Sequence, residues 1–188
     1  MSEQTYIHTF LAVIPPADII QQLTHTVEGL KALTDLAEVK WYVPEKLHIT
    51  LQFLGPINLG QVQALSAKLM YVMNDQMPLS ISLGDIIVFP SLQHPKVIAA
   101  EVNHSPELLA LTQHILPLTL QCGISAPDFS FNGHLTLGRL PHKRFSVANK
   151  LILSDTRHLT WVTRSIYLME STGGRYIQLA EYKCGDSN

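Results

Sequence analysis

Charge is scarce in this sequence. Lysine and arginine total 13 and aspartate and glutamate 15 of 188 residues, a formal net charge of −2. No global basic field advertises nucleic-acid binding, so any such contact must come from a local cluster touching few phosphates. Cysteine is scarcer still. Cys122 and Cys184 stand outside any C-x-x-C pair, so the sequence offers no disulfide framework and fits a reducing compartment. No apolar run approaches the ~20 residues that a membrane-spanning helix needs. The apolar stretch from Phe10 to Ile14 is short, has no basic flank and stops at Pro15-Pro16. No membrane association is expected, and the location is read as cytoplasmic. The phosphate loop G-x-x-x-x-G-K-[ST], the dinucleotide fingerprint G-x-G-x-x-G and the hydrolase elbow G-x-S-x-G are all missing, which leaves ATP-type, NAD-type and common serine-hydrolase chemistry unsupported.

What is present is apolar. Hydrophobic residues make up 46% of the chain, enough for a large core in one domain or in two small lobes that share it. Residues 6–14 read as a strand stopped by the two prolines, and from Ala17 the apolar positions Ile20, Leu23, Val27, Leu30 and Leu33 take helical spacing. A strand is expected over 47–54, ending at Gly55-Pro56, then a helix over 60–73 and strands over 79–88 and 96–102. Ser105 as N-cap and Pro106 at the first helical position open a third helix. Gly123 follows its end, and Pro117 is expected to kink or divide it. A strand over 130–137, a helix or loop near 145–153, and a hairpin of 160–170 with 175–182 across Gly173-Gly174 complete the reading. This order predicts an α+β fold with mainly antiparallel pairing. Its two halves echo each other, each with a helix followed by a strand of similar pattern.

The echo lies in His48-Ile49-Thr50-Leu51 and His134-Leu135-Thr136-Leu137. For this composition, two accidental copies of His-x-Thr-Leu occur on the order of half a per cent of the time. Side chains alternate along a strand, so each His and Thr share one face while Ile49, Leu51, Leu135 and Leu137 share the other. Two imidazoles with ordinary pKa near 6.5 suit in-line phosphoryl chemistry, one neutral as base and one protonated as acid. The threonine hydroxyls can donate to non-bridging phosphate oxygens. A zinc site wants three or four ligands, and the other seven histidines show neither H-x-x-x-H nor H-E-x-x-H spacing, so no metal and no cofactor are expected. Trp41, Tyr42, Phe53, Phe89, Phe129 and Phe131 lie near the motifs and could stack on a base, although core packing is the ordinary role of each. Tyr176 is a further candidate for the cleft.

Two H-x-T-[LIV] motifs in a chain of this size resemble the 2H phosphoesterase superfamily, and within it the bacterial and archaeal RNA 2′,3′-cyclic phosphodiesterases, also called 2′-5′ RNA ligases. The resemblance runs over nearly the whole chain. It rests on TFLAVIPP, VKWYVPEKLHITLQFLGPI, FSFNGHLTLGRL and YLMESTGGRYIQLAEY, with Trp41, Pro44, Phe53-Leu54-Gly55, Arg139 and Glu170-Ser171 in place. It implies a single domain, 1–188, of two intertwined pseudo-symmetric lobes, with two mainly antiparallel sheets facing a central cleft and helices outside. It implies hydrolysis of 2′,3′-cyclic phosphate ends of RNA, or of nucleotides carrying that group, to 2′-phosphomonoesters, with reversible 2′-5′ joining. It carries His48 and His134 into catalysis and Thr50, Thr136 and Arg139 into phosphate binding, in a monomer without cofactor. Simple alternation puts Arg139 on the core face, so a bulge or strand end is required there. Two positions depart from the family pattern: His8 stands where Arg is frequent, and Gly133 stands where Pro usually precedes the second histidine. Two rival readings remain open, an enzyme for small cyclic or 2′,5′-linked nucleotides and a nucleotide- or RNA-binding module without turnover.

Overall fold

The fold is built around the two strands that carry the repeated motif. In a computed structural model, which describes residues 5–32, 38–91, 93–127, 130–141 and 156–185, nine strands and three helices are formed. They run β1 (Tyr6–Val13), α1 (Ala17–Lys31), β2 (Lys40–Trp41), β3 (Ile49–Asn58), α2 (Leu59–Asn74), β4 (Leu79–Phe89), β5 (Val97–Val102), α3 (Pro106–Gln121), β6 (His134–Arg139), β7 (Thr160–Thr163), β8 (Ser165–Thr172) and β9 (Arg175–Lys183). Every strand pairing is antiparallel.

The strand order β7-β4-β5-β6-β3-β1-β8-β9 divides naturally in the middle. β3 and β6 share a single register pair, Ile49 with Leu135, whereas β3 pairs with β1, and β5 with β6, over most of their lengths. The sheet is thus two four-stranded halves hinged on the motif strands, with β2 added beside β6. This gives the expected α+β architecture, with the two sheets joined where the motifs meet.

All three helices bury their apolar stripes in one core. Leu23, Val27 and Leu30 of α1, Leu65, Leu69 and Met73 of α2, and Leu108, Leu111 and Ile115 of α3 pack with Ile49, Leu51, Leu135 and Leu137. The α1 stripe is set by Ile19, with Ile20 only half-buried, one position from the expected start. Asn58 and Gln61 form a reciprocal capping box on α2, and Ser105 accepts from the Leu108 N–H to cap α3.

Several expected boundaries move. β3 runs past Gly55-Pro56 to Asn58, because the ladder with β1 skips Leu54 and Gly55 takes a left-handed φ of 70°, a bulge that absorbs the turn signal. Pro56 needs no ladder donor there, since this end of β3 has no partner on its other side among the described residues. Pro117 lies within one continuous α3. It removes a single ladder bond near the C-terminal end, too little to divide a helix anchored by Ile115 and Thr119 in the core. The strand expected from 130 begins at His134. The expected 160–170 arm is two strands: β7 pairs with β4 and β8 with β1, so the chain changes halves at Arg164. The β8–β9 hairpin turns on Gly173 and Gly174, both at positive φ, as expected. Leu33, Phe129, His142 and the segment 145–153 lie outside the described residues.

Candidate active site

The alternation expected of the motifs is present. Ile49, Leu51, Leu135 and Leu137 are buried in the core, and His48, Thr50, His134 and Thr136 are half-buried on the opposite face. Carrying the antiparallel register one residue to either side of Ile49 and Leu135 sets His48 across from Thr136 and Thr50 across from His134. Four polar side chains therefore meet at the hinge between the halves, with the two imidazoles on one diagonal and the two hydroxyls on the other.

Both rings are held in the same way. His48 Nδ1 lies 2.6 Å from the Lys46 carbonyl and His134 Nδ1 lies 2.8 Å from the Asn132 carbonyl, each two residues back. A carbonyl only accepts, so each Nδ1 carries the proton and each neutral ring presents an Nε2 lone pair. Thr50 Oγ1 is 3.1 Å from His48 Nε2 and can donate to it. These two carbonyls were not among the candidates read from the sequence, although the local i−2 spacing in both motifs was a signal.

The walls differ. His48 meets Phe10 at 4.9 Å between ring centroids and Tyr176 edge-on at 5.1 Å. His134 stacks on Phe89 at 3.9 Å and 21°. Burial lowers the pKa of both histidines. The carbonyl bonds oppose this in each ring, and the charge of His134 lowers His48 further. Tyr176 is pushed up to about 12, first by burial and then by its neighbour Tyr42, so it stays a hydroxyl donor. Lys46 Nζ lies 5.7 Å from the ring centroids of both Tyr42 and Tyr176.

Arg139 reaches the cleft by the route its position demanded. Opposite β5, Ala99 pairs with Thr136 and Ile98 with Gly138, so Leu137 is the extra residue of a bulge. The bulge resets alternation: Gly138 faces Val39 and Trp41, and Arg139 turns to the other side. There Arg139 Nε donates to the Tyr42 hydroxyl at 3.3 Å, and its charge acts on Tyr176 beside His48. Gly138 is needed for this packing, because a Cβ would come 2.8 Å from Val39 Cγ1 and 3.0 Å from Trp41 Cε3. β3 has the same device. Ala12 pairs with Thr50 and Leu11 with Gln52, leaving Leu51 as the extra residue. Gln52 turns to the helices and donates to Thr119 Oγ1 at 2.9 Å.

Of the two departures from the family pattern, Gly133 sits against β5. Its carbonyl accepts from Val102 N–H, and a Cβ would meet Val102 Cβ at 3.0 Å. His8 is exposed and shares the face of Phe10 by alternation. Among the described residues, no three His, Cys, Asp or Glu side chains converge where they could hold a metal ion, and no helix is long and apolar enough to cross a membrane.

A family model described as LigT like Phosphoesterase matches residues 13–99, which include the first motif. The RNA 2′,3′-cyclic phosphodiesterase of Bacillus subtilis is 30% identical over 132 residues, 70% of each chain. That of Archaeoglobus fulgidus is 32% identical over 120 residues, 64% of this chain and 66% of its own. The crystal structure of E. coli LigT in apo form superposes with a TM-score of 0.78 at 22% identity, over 97% of this chain and 99% of that one, and its complex with 3′-AMP with a TM-score of 0.79 at 21% identity, over 96% and 99%. The superposition extends the likeness in fold over nearly the whole chain, and the chain belongs to the family of LigT-like phosphoesterases that contains the RNA 2′,3′-cyclic phosphodiesterases.

Proposed function

We propose that this protein hydrolyses 2′,3′-cyclic phosphate ends of RNA to 2′-phosphomonoesters. One observation carries the reading: two imidazoles on the motif strands that meet at the hinge of the sheet, each fixed by a carbonyl on Nδ1 so that Nε2 is the nitrogen left for proton transfer, with Thr50 Oγ1 3.1 Å from His48 Nε2.

The chemistry follows from that pair. One neutral imidazole takes a proton from water at Nε2 as the water oxygen attacks phosphorus opposite the 3′ oxygen. The P–O3′ bond breaks, and the other ring, as imidazolium, gives its Nε2 proton to that oxygen. The products are a 2′-phosphate and a 3′-hydroxyl, and proton exchange with solvent resets the pair. Thr50, Thr136 and Arg139 would hold the non-bridging oxygens, where the negative charge lies. A ring whose Nδ1–H is already bonded to a carbonyl needs no tautomer change to do either task, which is the benefit of the Lys46 and Asn132 contacts. If an RNA 5′-hydroxyl takes the place of water, the same steps form a 2′-5′ linkage. Neither proton transfer calls for a metal or a cofactor, and a cytoplasmic monomer acting on RNA ends fits the low charge and the few cysteines.

The test is turnover of an RNA oligomer ending in a 2′,3′-cyclic phosphate, in EDTA, with identification of the product end. A 2′-phosphate made by the wild type, and lost at least about a hundredfold in both His48→Ala and His134→Ala, is the expected result. Binding without turnover, or a strict need for added divalent metal, would overturn it.

A further inference from the structure

Lys46 and Asn132 are counterparts in the two halves: each stands two residues before its histidine, and each gives its carbonyl to Nδ1. Their side chains differ in charge. Asn132 is neutral and exposed, whereas Lys46 is half-buried and closes the 3₁₀ turn Pro44–Lys46. The Lys46 ammonium sits 5.7 Å from the ring centroids of Tyr42 and Tyr176. Those rings lead to the other groups of the site. Tyr42 takes the Arg139 Nε–H on its hydroxyl, and Tyr176 meets His48 edge-on. Neither Lys46 nor Arg139 has a carboxylate partner among the described residues, where the ion pairs are Lys31 with Glu28 and Arg157 with Asp85. Aromatic faces attract an ammonium but give it no acceptor oxygen. Two like charges gathered without a counter-charge cost free energy until an anion arrives.

A cyclic phosphate alone leaves this cluster undercompensated. It carries one negative charge, whereas one imidazolium, Arg139 and Lys46 together bring three positive charges. An RNA that ends in a 2′,3′-cyclic phosphate continues only through its 5′ oxygen. The next anion along the strand is therefore the phosphodiester that joins the terminal nucleotide to the preceding one. We propose that Lys46 binds that phosphodiester, and that this contact makes the site selective for RNA ends over single cyclic nucleotides. This rests on the function proposed above. The lysine stem is packed against two tyrosines, so its ammonium loses less freedom on binding than that of a lysine in open solvent. The contact also suits a chain with 13 Lys and Arg and a net charge of −2, which can hold few phosphates and only through a local cluster.

The experiment uses the dinucleotide ApA ending in a 2′,3′-cyclic phosphate, made once with its natural phosphodiester link and once with an uncharged methylphosphonate link. Turnover is measured for wild type, Lys46→Gln and Lys46→Arg. Lys68→Gln serves as a control for overall charge, because Lys68 lies on α2 and bonds Gln121. The readout is the ratio of kcat/KM with the charged link to kcat/KM with the neutral one. Any disturbance of His48 through the backbone of residue 46 affects both substrates alike and cancels in the ratio. The wild type should favour the charged link roughly three- to tenfold, through KM rather than kcat. Lys46→Gln should bring the ratio to about one, and Lys46→Arg should keep it. Lys46→Gln should also make the fall of log kcat/KM with log salt shallower by about 0.7 for the charged substrate. A wild-type ratio of about one, an unchanged ratio in Lys46→Gln, or an equal loss in Lys68→Gln would overturn the proposal. If the wild type turns over neither substrate, the function proposed above fails instead. Calorimetric binding of the ApA 2′-phosphates with the two links to the same four proteins then decides the role of Lys46 by the same ratio.

Discussion

The two halves of the sheet solve one problem with the same backbone and different side chains. Each presents His-x-Thr on a strand at the hinge, each ties Nδ1 to the carbonyl two residues back, and each bulges at the motif leucine. The surroundings then diverge. The β3 half encloses its histidine between Phe10 and Tyr176, and the β6 half stacks its ring on Phe89 and adds a guanidinium. The lesson is that symmetry resides in what the backbone dictates, namely alternation, bulge and carbonyl contact. Asymmetry resides in side chains that the strands merely aim. A two-histidine reaction needs this combination, because its two proton transfers are geometrically alike and electrically opposite.

The largest effect should come from breaking the symmetric part. His48→Ala and His134→Ala should each lower kcat/KM at least about a hundredfold, and the double variant should lose little more than the worse single one, since both rings serve one displacement. Rate measurements on the two singles and the double check this. Multiplicative losses would mean that the rings act independently, contrary to the shared cleft.

The bulges are the next target, because the halves fill the equivalent position differently. Gly138→Ala forces a methyl group against Val39 and Trp41 and should destabilise by about 1–3 kcal/mol. It should also raise KM by displacing Arg139. Gln52→Ala removes the bond to Thr119 and should cost a similar 1–3 kcal/mol. It should leave KM for the 2′,3′-cyclic phosphate substrate close to wild type, because Gln52 faces the helices. Denaturant unfolding and substrate titration of the two variants separate the outcomes. A raised KM in both would mean that the bulges, rather than Arg139, set the cleft.

How much of this was legible beforehand depends on whether a feature is local. The His-Thr faces were readable because alternation is a property of one strand, and the burial of Ile49, Leu51, Leu135 and Leu137 follows it. Arg139 could be placed only by requiring a bulge, and the ladder against β5 supplies one. Phe53 reaches the same side of its strand by the equivalent bulge, but a phenylalanine on the core face of a strand raises no alarm in a sequence, whereas an arginine does. Phe10 beside His48, and the division of the 160–170 segment between two partners, depend on strand pairing between distant segments, which periodicity within one segment cannot report. Turn chemistry was read correctly at Gly173-Gly174 and misread at Gly55-Pro56, because a positive-φ glycine serves a hairpin turn and a bulge equally well.

The electrical asymmetry predicts a shifted pH profile. Both rings have pKa values below the ordinary 6.5, and the proposed turnover needs one protonated and one neutral. Because kcat/KM reports the free enzyme, its bell should peak below pH 6.5, between the two lowered values. The profile of kcat should peak higher, since a bound phosphate anion favours the imidazolium. Initial rates across pH 4.5–9 would show the displacement, and coincident maxima above pH 7 would contradict the desolvation of the rings.

The smallest expected effect sharpens the comparison most, because it weighs the two rings without any substrate. A histidine whose folded pKa lies below its unfolded value takes up its proton first in the unfolded chain as pH falls. Its stabilising contribution is therefore complete above pH 6.5, shrinks as pH drops through that value, and levels off below the folded pKa. His48 is the more enclosed ring and also feels His134, so it should account for the larger share of the acid loss. Replacing either ring changes stability at every pH, so the informative quantity is the slope of Tm between pH 7.5 and 5.5. His48→Ala should flatten that slope more than His134→Ala, by a difference on the order of 1–3 °C over the range. Inorganic phosphate should flatten the wild-type slope as well, by favouring the protonated rings in the folded state. Equal flattening by the two substitutions would mean that the aromatic enclosure by Phe10 and Tyr176 does not distinguish the rings electrostatically, and that the division between the halves lies in substrate contacts alone.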